Sequence, residues 1–417
     1  LYLYIYRLII LFVLIYFSVL DIYKMDYRYH TVECENIKDA GYGENESLDF
    51  NLNFPGRALV CGSVRLEAEV EIYPDGTSLN DGTKAVHCDH MIGAHAFVGA
   101  CVTTFQQQGI VENATELPRY AKMVTVGTNT DQDMNQAKYV CELRSSDKMV
   151  QQKVLMPRYP ADIGGGAAGD GVSQHQGTGF GELAENGGLE LRADFSIKPI
   201  ICLNGVASQN SLLNYNTSGE IKLSFNLARN LEALYGEDLA AAGKYLLKNV
   251  EVCYTSVPEE PTQAPITMRT SLCLKSNMNS SLSNHSARVP AICDAMSASY
   301  IQLDREFSRF HNNTALEMPP NVSNLKFMFN DSTSSYITYE LRNRLEIIDQ
   351  GLKALSIGSH HNVRGDLLSA NESYVTGIAL EKPLDLSRQK FNIQIDSDVE
   401  SSNPYLKFMY FHSLISF

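Results

Sequence analysis

Leu223-Ser224-Phe225-Asn226-Leu227-Ala228-Arg229-Asn230-Leu231-Glu232-Ala233-Leu234 lies without a gap on Ile337-Thr338-Tyr339-Glu340-Leu341-Arg342-Asn343-Arg344-Leu345-Glu346-Ile347-Ile348, 114 positions further along. Only three positions are identical, but apolar residues coincide through the first half of both stretches. In each, an alternation of period two gives way to helical spacing at the same step, which reads as a strand running into a flanking helix. Such a unit seen twice predicts two related domains in tandem, with the two stretches in equivalent places. Flanking segments support the pairing. Ile197-Lys198 to Leu203-Asn204 resembles Leu325-Lys326 to Phe329-Asn330, and Tyr245 and Tyr374 each open another apolar strand.

Working outward, alternation predicts strands at 195–203, 220–227, 245–257, 266–274, 324–329, 336–341, 374–380, 391–395 and 405–411. Helical spacing covers 228–235 and 342–355. Pro258-Glu259-Glu260-Pro261, followed by Pro265, reads as a linker between domains of sandwich size. Upstream, 59–73 alternates through Val60, Val64, Leu66, Ala68, Val70 and Ile72 and closes on the turn Pro74-Asp75-Gly76. Residues 87–105 have mixed spacing, and 131–143 reads as a short helix carrying Ala137, Val140 and Leu143 on one face. The polar stretch 26–54 reads as an N-terminal arm. Glycine crowds 162–188, where few large apolar side chains offset the entropy of ordering, so a long surface loop is expected. The fold class is all-β: many short strands with turn signals, closed into two sheets, point to two tandem sandwiches of the jelly-roll kind with short flanking helices.

A chain of 417 residues at 44% hydrophobic and 20% charged can bury a large core. Its net charge of −14 and lack of any basic run argue against a grip on nucleic acid. Nine scattered cysteines without a CxxC pair read as reduced, packed thiols of a cytosolic or nuclear product. Asn-x-Ser/Thr sequons, at Asn113, Asn279 and Asn371 for example, would matter only in a secreted protein. Leu1 to Leu20 is almost wholly apolar and long enough to span a membrane. We read residues 1–24 as an over-extended reading frame with the start at Met25, the alternative being a membrane segment.

Chemical motifs are sparse. The sequence holds no GxSxG, HExxH, Walker or dinucleotide fingerprint, and Gly177-Thr178-Gly179-Phe180-Gly181 lacks the Gly-Lys-Ser/Thr of a phosphate loop. His87-Cys88-Asp89-His90 with His95 is the densest set of metal-ligand types. Histidines bonded within a loop or a subunit contact are the commoner explanation, and His360-His361 stands lower still. Glu259-Glu260 flanks linker prolines and is expected to be solvated. No catalytic, cofactor-binding or metal residue is assigned, no cofactor is expected, and the chain is read as a non-enzyme.

Several phrases resemble the major capsid proteins of polinton-like viruses and their virophage relatives. They are Met91-Ile92-Gly93-Ala94-His95, Thr104-Phe105 with Gly109-Ile110-Val111-Glu112-Asn113, and Phe225-Asn226-Leu227-Ala228-Arg229 with Leu234-Tyr235-Gly236. Further on come Ser286-Ala287-Arg288-Val289-Pro290, Phe327-Met328-Phe329-Asn330-Asp331-Ser332-Thr333-Ser334, and the ending from Gln389-Lys390-Phe391 to Tyr410-Phe411-His412-Ser413. The resemblance spans about Leu52 to the C-terminus and implies a double jelly roll. It implies a first jelly roll over 55–260 carrying the loop 162–188, a second over 261–417, and an arm over 25–54. It further implies homotrimers forming pseudo-hexagonal capsomers of an icosahedral DNA-virus shell, in contact with neighbouring capsomers, penton and minor capsid proteins. No sequence-specific nucleic acid and no membrane contact are implied. Such a protein resides in the virion and is made in the host cytoplasm or nucleus. A penton or minor capsid protein, or a cell-surface adhesin or glycan-binding sandwich, are the alternatives.

Overall fold

The computed structural model describes residues 26–79, 84, 86–89, 92–128, 142–144, 177–179, 192–197, 211–287, 289, 292–330, 336–355, 374–387 and 390–416. Segment 1–24, most of 162–188 and the pair His360-His361 lie outside the described residues.

In the second half, alternation decides which face of each strand is covered. Phe391, Ile393 and Ile395 are buried on one side of their strand, with half-buried polar residues between them. Eight strands result: β14 (Thr267–Met278), β15 (Leu282–Ala287), β16 (Ile292–Gln302), β17 (Asn324–Asn330), β18 (Tyr336–Leu341), β19 (Thr376–Asp385), β20 (Lys390–Asp396) and β21 (Tyr405–Ser416). They pair antiparallel into two sheets, β14-β21-β16-β19 and β15-β20-β17-β18. Consecutive strands therefore alternate between sheets, except for the hairpin β17-β18. That is a jelly roll.

The first half repeats the plan. Its strands are β1 (Arg28–Glu33), β2 (Ser47–Leu52), β3 (Arg57–Val60), β4 (Arg65–Tyr73), β6 (Val98–Phe105), β7 (Gly109–Thr115), β8 (Glu142–Arg144), β10 (Arg192–Ile197), β11 (Leu212–Asn214), β12 (Ile221–Leu227) and β13 (Lys244–Pro258). One sheet runs β11-β3-β13-β4-β10-β8 with β1 also on β13; the other runs β2-β12-β6-β7. A small pair, β5 (His87–Asp89) and β9 (Gly177–Gly179), lies apart. By position β3, β13, β4 and β10 match β14, β21, β16 and β19, while β2, β12, β6 and β7 match β15, β20, β17 and β18. The one departure in chain order is that β2 precedes β3.

This topology corrects the reading of the repeat. β12, which carries Leu223, lies inside its sheet between β2 and β6. β18, which carries Thr338 and Tyr339, is an edge strand on β17 alone. The counterpart of β12 is β20, and that of β18 is β7. Each edge strand runs into a helix: β7 into α1 (Leu117–Thr128), β18 into α3 (Arg344–Ala354). The duplication is real at the level of the fold, but the gapless sequence echo joins two non-equivalent strands. The helix expected over 228–235 is the single turn α2 (Asn230–Ala233), stopped where Leu234 returns to extended backbone.

Three further expectations change. The stretch read as an arm contributes β1 and β2 to the two sheets of the first sandwich, burying Leu48, Phe50, Leu52 and Phe54. The single strand over 59–73 is broken by the turn Cys61–Ser63 into β3 and β4, which occupy different places in one sheet. Residues 142–144 form strand β8 on β10 rather than the end of a helix, because cross-strand pairing overrides local propensity; the rest of 131–141 lies outside the described residues.

Candidate functional site

Where the two sandwiches meet, the edge strand β7 lies alongside the edge strand β14. Helix α1 lies on the outer face of the sheet containing β21. Alternate residues of β21 point to opposite sides, so Phe411 packs inward on Phe391 while Tyr410 and His412 face Tyr120 of α1. The second sandwich is therefore buried on both faces of its central strands: one against its own core, one against its partner.

The polar groups of this contact are mostly buried. Asp89, at the end of β5, forms an ion pair with Lys122 of α1 at 2.6 Å. The same carboxylate oxygen accepts from Asn312 Nδ2 at 2.6 Å and Thr314 Oγ1 at 2.5 Å, both from the second sandwich. Arg119, one turn earlier on α1, donates to the carbonyls of Ala315 and Asn313 and stacks on Phe408 at 4.2 Å. Asn313 Nδ2 donates back to the Leu231 carbonyl of α2, and Gly236 N donates to the Arg309 carbonyl at 2.7 Å. Tyr410 Oη donates to the Glu116 carbonyl at 3.0 Å. Lys275 of β14 bridges Glu116 at 2.6 Å and Glu306 at 3.3 Å. Asp89 and Arg119, which hold segment 305–317, and the Lys275–Glu116 ion pair thus tie one sandwich to the other by bonds to side chains and to carbonyls that depend on shape as much as charge.

A small cleft remains at this junction, lined in part by Glu116, Arg119, Glu232, Glu306, Phe307 and Phe408. Burial, reinforced by the charge of Glu116, raises the Glu232 carboxyl to about 7. The thiol of Cys273, nearby on β14, is pushed up by burial and by Glu116, which keeps it inert.

The residues singled out from the sequence fall as follows. Within His87-Cys88-Asp89-His90, Cys88 is buried and Asp89 serves the junction; the His87 side chain and His90 lie outside the described residues. His95 is buried in the 3-10 turn Gly93–Phe97. Glu259, expected to be solvated, accepts from Asn216 N and Nδ2, both at 2.9 Å, and Asn214 Nδ2 donates to the Glu260 carbonyl at 2.8 Å. The proline-rich linker is therefore pinned to the first sandwich. Of the phosphate-loop-like run, Gly177–Gly179 is strand β9. Among the described residues, Glu67, Glu251 and Cys253 bring three ligand atoms within 4.8 Å of one another, a set that could hold a cation. Cross-strand register aligns Glu33, Glu251 and Glu67, which sequence spacing alone does not reveal. Segment 305–317 was equally hidden, since its loop composition gives no sign of a partner 190 or more residues away.

No protein-family model matches the chain, and no curated protein matches it by sequence. Solved structures do. The Faustovirus major capsid protein superimposes with a TM-score of 0.51 at 8% identity, covering 94% of this chain and 90% of that one. PBCV-1 VP54, as fitted into a reconstruction of the virophage Sputnik, gives 0.53 at 6% identity, covering 94% and 95%. The quasi-atomic PBCV-1 capsid gives 0.50 at 8% identity, covering 94% of each chain. At such identities the likeness establishes the fold, a double jelly roll spanning the chain.

Proposed function

We propose that this chain is a major capsid protein, a structural subunit that trimerises into pseudo-hexagonal capsomers of an icosahedral DNA-virus shell. The observation that carries the reading is the pair of jelly rolls side by side in one chain, matched along its length by the Faustovirus major capsid protein and by the PBCV-1 virus capsid. Two similar sandwiches per chain make six similar corners in a closed trimer, the geometry a hexagonal lattice needs. Large apolar side chains exposed on the single chain, among them Tyr29, Ile110, Leu282, Ile292 and Phe310, suit burial between copies. The junction chemistry fits a structural part: Asp89, Lys122, Arg119 and Lys275 are all spent on carbonyls and ion pairs inside the molecule. Neighbouring capsomers, penton and minor capsid proteins would be its partners, and the virion its location.

Light scattering on residues 25–417 tests this. The expected result is about three times the chain mass, nearly independent of salt because apolar burial dominates such a contact. A stable monomer at micromolar concentration would overturn the capsomer reading.

A further inference from the structure

The cleft between the sandwiches gathers carboxylates that, among the described residues, meet a cation directly only through Lys275. Three carboxylates reach it: Glu116 from the β7–α1 corner, Glu232 from α2 and Glu306 from the second sandwich. Lys275 is shared between Glu116 and Glu306. Arg119 spends its guanidinium on the Ala315 and Asn313 carbonyls, and Arg229 lies over the Phe307 ring at 4.8 Å. Glu232 itself receives the Arg229 amide at 3.4 Å, at the outer limit of a hydrogen bond. From β13, Tyr245 faces it as a buried phenol, and Glu44 caps the Asn230 amide of the same turn at 2.9 Å. Among the described residues Glu232 has no ion-pair partner of its own, and Lys275 and Arg119 act on it only from a distance.

We propose that the contact between the two sandwiches is proton-sensitive: a proton held on Glu232 favours the closed junction, and its loss loosens α2 from segment 305–317. The two bonds that flank Glu232, Asn313 Nδ2 to the Leu231 carbonyl and Gly236 N to the Arg309 carbonyl, are those that would part. Ionised Glu232 faces Glu116 across the cleft, and moving the segments apart admits water to both. The direction follows from the raised carboxyl, about 7 when closed against the ordinary 4.5. Between those values the closed form holds the proton and the open form does not, so opening grows as pH rises and levels off above about 7.

Hydrogen exchange of the full chain from pH 5 to 8, corrected for intrinsic exchange, reads this directly. Peptides over 229–239 and 305–317 should open about tenfold more at pH 7.5 than at pH 5, the screened remainder of a limit of about tenfold per pH unit. Strand β20, in the second core, reports the global change in stability with pH, which the rise in these two peptides must exceed. Glu232→Gln should hold both peptides at their low-pH protection throughout. Glu116→Gln should shift the rise to lower pH, and it remains a test if the first variant does not fold. A flat wild-type profile, a rise that persists in Glu232→Gln, or a rise abolished by Glu112→Gln in the first core would each overturn the proposal.

Discussion

Glu112 and Lys407 are single residues that should write themselves into the stability of the whole chain. Glu112 projects from β7 into the first core, receives Thr103 Oγ1 at 3.0 Å, and has its other oxygen unbonded among the described residues. Burial raises its carboxyl to about 8. Its folded form therefore keeps a proton that the unfolded chain sheds near 4.5, and stability is lost as pH climbs from there to about 8. Lys407 is 0% exposed on β21, opposite Tyr300 and Ser276, with no bonding partner among the described residues. Burial lowers it to about 8. Its sign is opposite: stability is present above the ordinary 10.5 and lost as pH falls to about 8. Urea midpoints should consequently pass through a minimum near pH 8. Glu112→Gln should flatten the acid side, and Lys407→Met should flatten the alkaline side while raising stability at pH 7 by about 3 kcal/mol. An unchanged alkaline limb in Lys407→Met would refute the assignment.

At the scale of elements, α1 is held by the buried Asp89–Lys122 pair, which also receives Asn312 and Thr314. Lys122→Met alone should cost about 3 to 5 kcal/mol because it strands the carboxylate, while Lys122→Met with Asp89→Asn should recover most of that. Denaturant titration of both variants measures the difference. Helix α3 is held differently, by absence of side chain. A Cβ at Gly351 would sit 2.8 Å from the Val375 carbonyl oxygen, and one at Gly377 would sit 2.5 Å from that of Met296. Gly377→Ala should therefore force β19 from β16 and lower the midpoint by an amount typical of core overpacking, about 1 to 3 kcal/mol. Elements also explain what the sequence could tell. β12 and β20 alternate because one face of each is solvated or only half-buried, and periodicity found both. β16 escaped because it is buried along nearly its whole length, Met296 and Tyr300 toward its own core and Ser297 beside His412 toward α1, which erases alternation. The echo between 223–234 and 337–348 misled for a related reason. Period-two spacing passing into helical spacing records a local change of backbone, whereas an interior strand and an edge strand differ only in their partners. Asn312, Asn313 and Thr314 read as loop residues for the same cause: their bonds to Asp89, α2 and α1 exist only once the chain has closed.

Across the whole molecule, the consequence of the junction is that the second sandwich cannot stand as an independent body. Phe408, Tyr410 and His412 lie on its outer face, and all three are buried at 1% exposure or less only because Arg119 and Tyr120 cover them. Removing that cover would open an apolar stripe on a sheet face, a surface that drives association. Unfolding of the full chain at pH 6 should accordingly be one cooperative transition rather than two, even though each jelly roll has its own pair of sheets. Arg119→Ala removes the two bonds to the Asn313 and Ala315 carbonyls and the stack on Phe408 together, leaving buried acceptors unpaired. In that variant calorimetry should resolve two transitions, with the second sandwich melting first. A single transition that merely moves to lower temperature would mean that the apolar contact of α1 with β21 suffices to couple the two rolls, and that Arg119 adds stability without adding cooperativity.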